Sequence, residues 1–159
     1  MQTEVSWEQF AAVRPDLASA GCDLLYQFGV GLAFLSTVRP DGGPRVHPVS
    51  PVLVSGRLLA HVIPSPKRDD LHRDRRYALH SFPSPDNEDA FYLTGRAQPV
   101  SDPGLASGAA AQFLAERGIE TEPDGFADGE FFEFLVGRCL LTKTTGHGDW
   151  HPQHATWAA

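Results

Sequence analysis

The chain lacks most of the features that would assign it quickly. No apolar run is long enough to span a bilayer. The first residues, MQTEVSWEQF, are acidic and carry no apolar core, so no signal peptide is expected. A basic surplus is also missing: 13 Lys and Arg against 20 Asp and Glu leave a net charge of −7. That balance argues against nucleic acid as the main partner, because phosphate backbones attract basic surfaces. The two cysteines, Cys22 and Cys139, form no CxxC pair and no zinc spacing. They read as two thiols in a reducing cytoplasm. No P-loop, HExxH pair or serine-nucleophile motif is present. No internal repeat or linker divides the chain.

What remains is one globular domain over 1–159, with 42% hydrophobic and 21% charged residues. The 15 glycines and 13 prolines imply many turns. Trp7, Phe10 and Val13, then Leu17, Leu24, Leu25 and Phe28, fall at helical spacing over 6–28. Pro15 breaks this segment into two pieces and starts the second. From about 29 to 145 the pattern changes to strands. VGLAFLSTV (30–38), RVHPVSPVLV (45–54) and LLAHVI (58–63) are joined by RPDGGP and SGR turns. Three such strands predict an antiparallel meander. YALHSF (77–82), AFYLTGRAQPV (90–100) and FFEFLVGRCLLTKT (131–144) complete six strands, with bends at Gly95 and Gly137. A helix is expected over 103–117, with Ala109, Phe113 and Leu114 inward. The tail, 146–159, reads as irregular. This is a mainly β fold with flanking helices: a six-stranded, closed or partly closed antiparallel barrel. Pro48 and Pro51 remove two backbone donors and place their strand at an edge or a bulge.

The stretch HVIPSPKRDD (61–70) carries the chemistry. Ser65 suits a helix N-cap and Pro66 the first helical position. Lys67 and Arg68 then fall in the first turn, the positive end of the helix dipole. Two readings stand side by side: a phosphate held between free N–H groups and two cations, or a solvated face on which Asp69 and Asp70 neutralise them. Residues 67–76 hold five basic and three acidic groups. Arg45 opens the strand expected to pair with the one entering Ser65. It would approach such a phosphate, or else be a surface cation beside Asp41. His47, His61 and His80 sit in strands, and His147, His151 and His154 in the tail. No pair among them shows a helical i, i+4 spacing such as HExxH, since His147 and His151 lie in the irregular tail, and no metal site is expected.

Taken together, residues 37–79, with their PDG turn, Arg-led strand, second turn and Ser-x-Lys helix start, resemble the pyridoxamine 5'-phosphate oxidase-like family of flavin-binding split β-barrels. FYLTGRAQPV (91–100) is similar to the family's next core strand. The resemblance implies FMN at a homodimer interface, a small-molecule substrate, and neither a membrane nor a nucleic-acid partner. It implies that Arg45 lies near the cofactor phosphate and that Val46, His47, Pro48, Val49 and Ser50 run along the flavin. Ala60 and His61 would contribute from the third strand, and Ser65, Lys67 and Arg68 from the helix start. Pro66 stands where a second cation is common, and Ser50 where the family often has Lys. The family's vitamin B6 oxidases close their pocket with Arg and His two residues apart. This chain instead ends in GHGDWHPQHATW, which argues against pyridoxamine phosphate as substrate. Trp150 and His151 could cap a flavin face, or pack on the barrel or a partner. An FMN-dependent oxidoreductase is the leading expectation, with His47 and His61 candidate acids or bases by residue type alone. The alternatives are coenzyme F420 on the same fold, a haem-binding or haem-degrading barrel using a tail histidine as axial ligand, and a flavin-binding module without catalysis.

Overall fold

The computed structural model describes residues 3–159. Two helices open the chain, α1 (Trp7–Val13) and α2 (Pro15–Leu25). A capping box starts α1: Gln9 N–H donates to Ser6 Oγ at 3.3 Å, and Ser6 N–H donates to Gln9 Oε1 at 2.9 Å. Pro15 sits at the first position of α2, as its fixed φ favours. Eight strands follow rather than the expected six: β1 (Ala33–Val38), β2 (Pro44–Val49), β3 (Pro51–Val54), β4 (Arg57–Val62), β5 (Arg76–Ser81), β6 (Ala90–Pro99), β7 (Glu130–Lys143) and β8 (Gln153–Ala158). Helix α3 (Pro66–Arg73) separates β4 from β5, and α4 (Pro103–Glu116) separates β6 from β7.

The count rises for two reasons. The 45–54 segment is two strands, because the neighbours Pro51 and Val52 are both buried, so the alternation loses its phase just after Ser50. The tail also contains a strand, since Ala155 and Trp157 point inward while His154 and Thr156 face solvent. Its six residues pair with β7, with Trp157 opposite Cys139.

The sheet order is β2-β1-β5-β6-β7-β4-β3, with β8 against β7. The expected meander is therefore two separate hairpins. Arg45 pairs with Thr37 of β1, whereas β4 takes β3 as its partner. Strands β2 and β3 lie at opposite edges of the path, yet only Ser50 separates them in sequence. A chain can leave one edge and join the other in one residue only if the sheet curls and brings those edges together. The result is an antiparallel half-barrel. A register shift at Thr94/Gly95 bends β6, as expected for that glycine. A Cβ on Gly95 would stand 2.0 Å from the Leu135 carbonyl oxygen.

The inside of the curl holds the main core, with Leu35, Leu58, Ala60, Leu79, Leu93, Phe132 and Phe134 packed beneath α1 and α2. A smaller core lies outside it under α4, where Val52, Leu59, Ala109 and Phe131 meet. The β3 edge is blunted by side chains: Leu53 N–H donates to Tyr26 Oη, and Gln112 Nε2 donates to the Leu53 carbonyl. The β2 edge has no such cover among the described residues. Val46, His47 and Pro48 are exposed along it.

Candidate functional site

Strand β4 alternates between the two cores and so aims the site. Leu58, Ala60 and Val62 face the main core, while Leu59 points beneath α4. His61 and Ile63 continue the Leu59 face past the end of the smaller core. There they meet Phe113 of α4, Pro48, Val49 and Ser50 from β2 and its junction, Leu32, and Lys67 of α3. These residues line an open cleft of about 210 Å³. The β2–β3 junction, the third expected strand and the helix start thus converge in space. Ala60 is adjacent in sequence but fully buried, so its side chain faces away from the cleft.

Lys67 makes no ion pair or hydrogen bond among the described residues. Burial without a counter-charge pushes its ammonium below the ordinary lysine value. A partly desolvated, unpartnered cation at a helix start is disposed to take an anion. Ser65 is the N-cap by position, but its hydroxyl does not cap: Oγ donates to the Ile63 carbonyl at 2.8 Å. Pro66 has no N–H, and the Arg68 and Asp69 N–H groups donate to the Ser65 carbonyl at 3.0 and 3.2 Å, so the Lys67 N–H is the one at this helix start left without an acceptor among the described residues.

Arg45 is held from behind. Its Nε donates to Asp70 Oδ2 at 2.7 Å, and the same oxygen accepts from Thr37 Oγ1 at 2.9 Å. Asp70 Oδ1 takes both Arg73 amino groups at 3.2 Å. Burial alone would raise the Asp70 carboxyl. The donors from Arg45, Thr37 and Arg73 outweigh it and hold the group below the usual carboxylate range. Asp41 pairs with Arg39 instead, so Arg45 is not a partner of that turn. Its two terminal amino groups bond nothing among the described residues, and the Asp70 anchor fixes where they stand. Arg68 turns the other way. It donates to the Asp128 carbonyl at 2.9 Å and lies 3.8 Å from Glu130, pinning the loop before β7.

His61 is packed on several sides. Its ring stacks on Phe126 at 4.0 Å and 11°, meets the Phe131 edge at 5.1 Å, and faces Phe113 at 6.1 Å. Desolvation lowers its pKa, so the imidazole is neutral near pH 7. A Cβ on Gly129 would lie 2.3 Å from the ring, which explains a glycine at that close approach.

Trp150 and His151 do not cap the cleft of their own chain. They follow β7, which pairs with His61 at Phe131 but with the tail at Thr142. Neither is among the residues that line the cleft. Trp150 is 90% exposed. Ile63 and Phe113 were not among the expected site residues. Ile63 is two positions beyond His61, so strand periodicity alone would have found it. Phe113 was legible as an inward helical residue, but what it faced was not.

No protein-family model and no curated protein matches this sequence. Solved structures do match its shape. A haem-binding protein from Mycobacterium smegmatis aligns over 88% of this chain at 18% identity and a TM-score of 0.63; this chain spans 57% of that protein. An F420 reductase aligns over 74% of this chain and 94% of its own at 20% identity, with a TM-score of 0.59. A general-stress-protein-26-related member of the pyridoxinephosphate oxidase family from Clostridium acetobutylicum covers 95% of both chains at 13% identity and a TM-score of 0.59. The fold is that of the pyridoxamine 5'-phosphate oxidase-like split barrels. Identity this low carries the fold and no activity. Among the described residues no helix of this split barrel is long and apolar enough to cross a membrane.

Proposed function

We propose that this split barrel binds FMN in the Lys67 cleft and acts as an FMN-dependent oxidoreductase on a small molecule, as a homodimer. The observation that carries the reading is Lys67 itself: a partly buried cation with no partner among the described residues, at the start of α3. The residues present fit a flavin monophosphate. Lys67, through its ammonium and its own N–H, would hold its phosphate, and Arg45, oriented by Asp70, would add charge from β2. Pro48, Val49 and Ser50 would flank the ring, with His61 and Ile63 opposite. When bound, a flavin supplies two-electron redox chemistry. The chain's own part is to grip the phosphate, fix the ring plane and exclude water.

The cleft of one chain, about 210 Å³, is smaller than the ~300–1,000 Å³ common for enclosed ligand sites. A second copy laid on the open β2 edge would supply the missing wall. Val46, 60% exposed on that edge, favours burial there. Coenzyme F420 carries a longer acidic tail and would want more cations than the one lysine that lines the cleft.

Lys67→Ala tests the reading. A charged hydrogen bond to phosphate contributes about 1.5–3 kcal/mol, so flavin affinity should weaken by roughly ten- to hundred-fold. Lys67 has no partner among the described residues, so the Tm should stay unchanged. Flavin absorbance that co-elutes with the variant as fully as with the native chain refutes the assignment. A Soret band, or the absorbance of F420, in the purified native protein would refute FMN.

A further inference from the structure

Beyond the cofactor cleft the same wall opens into a second, larger lobe of about 590 Å³. His61, Ile63 and Phe113 border both spaces. The far side of the second lobe is the turn before β7, with Phe126, Asp124 and Asp128. The two lobes differ in charge. The first contains Lys67 and no acid. The second contains two carboxylates and no lysine or arginine. Neither carboxylate makes an ion pair or a hydrogen bond among the described residues. Arg68 reaches the Asp128 carbonyl rather than its carboxylate, and its charge leans towards Glu130.

We infer that this second lobe is a substrate site for a small molecule with a planar apolar body and a positively charged group, such as a protonated aromatic amine. This rests on the flavin reading for its role as a substrate site, though not for binding as such. The physical case is complementarity. Ile63, 52% exposed, and the parts of Phe113 and Phe126 left open by Arg117, 3.7 Å over the Phe113 ring, and by His61, stacked 4.0 Å from Phe126, offer apolar surface that a flat body would cover. Asp124 and Asp128 are left to neutralise a cation at the rim. The shared wall of His61 and Ile63 puts such a body directly beside the flavin cleft.

The test uses the 159-residue chain and two probes of similar shape, benzyltrimethylammonium and phenylacetate. Calorimetry is run on the flavin-free and flavin-loaded protein, with NMR of the His61 ring as a local reporter. The cation should bind both forms and shift His61, and the anion should not. Changing both Asp124→Asn and Asp128→Asn removes two partly exposed charge pairs and should weaken cation binding by about ten-fold. These are exposed loop residues, and an unchanged Tm verifies the fold. Equal binding of phenylacetate, or cation binding untouched by the double change, overturns the inference. Lys67→Ala separates the two readings: it should release flavin and leave the cation site intact. Cation binding in a chain that takes no flavin would sink the oxidoreductase reading alone. Flavin binding without cation binding would sink the lobe alone.

Discussion

Asp70→Asn is the most informative single change in the barrel. The carboxylate is 1% exposed, and both of its oxygens accept: Oδ2 from Arg45 and Thr37, Oδ1 from Arg73. An asparagine presents one N–H2 in place of an acceptor. In either orientation that group meets a donor, and at least one partner is left unsatisfied. Breaking a buried ion pair on one side costs about 3–5 kcal/mol. The low end applies here, because Arg45 and Arg73 are 25% and 40% exposed and water can partly solvate them. For a chain of this size each kcal/mol lowers Tm by about 2–4 °C, so the D70N variant should melt about 6–12 °C lower. The pH dependence has a definite sign. Asp70 has a depressed folded pKa, so its contribution is present above the unfolded value, near pH ~4, and is lost as pH falls through the lower folded value. The gap between native and variant Tm should therefore close on acidification. Differential scanning calorimetry from neutral to acid pH measures both effects. A Tm within about 2 °C of native at pH 7, or a gap that widens in acid, would refute the view that Asp70 organises this corner and orients Arg45.

Two further outcomes follow from local packing. Gly129→Ala would drive a Cβ to within 2.3 Å of the His61 ring, which Phe126 already holds at 4.0 Å. Overpacking of this kind costs about 1–3 kcal/mol; urea unfolding should show it, and an unchanged midpoint would mean that the loop yields freely. Burial between β7 and β8 pushes the Cys139 thiol up to about 12. Iodoacetamide at pH 8 should therefore leave Cys139 unmodified in the native protein and label it after denaturation. Rapid native labelling, read by mass spectrometry, would contradict the pairing of the tail with β7.

Much of the fold was legible as local pattern. The Ser6–Gln9 cap and Pro15 mark both opening helices, and each depends only on near neighbours. The Ser55–Gly56 turn is equally local: both residues have positive φ, which a tight hairpin requires and glycine tolerates. Gly95 announced its bend because no side chain fits against the facing carbonyl. The six-strand count failed where the cause was not local. Ser50 is an ordinary strand residue until the curled sheet forces it to cross between edges. The tail strand has only Ala155 and Trp157 to signal its inward face, and it is a strand because β7 offers it an edge.

The site divides along the same line. Sequence alone determined that Lys67 and Arg68 would stand in the first turn of α3, because Ser65 and Pro66 start a helix there. It also determined the two faces of β4, because strand side chains alternate. Only the tertiary structure decided which cation stays available. Arg68 is spent on the loop before β7, Arg45 is oriented by a buried carboxylate 25 residues away, and Lys67 keeps no partner among the described residues. Charge sign and helix position are properties of a few consecutive residues, whereas a partner is whatever the curled sheet brings within 3 Å or so.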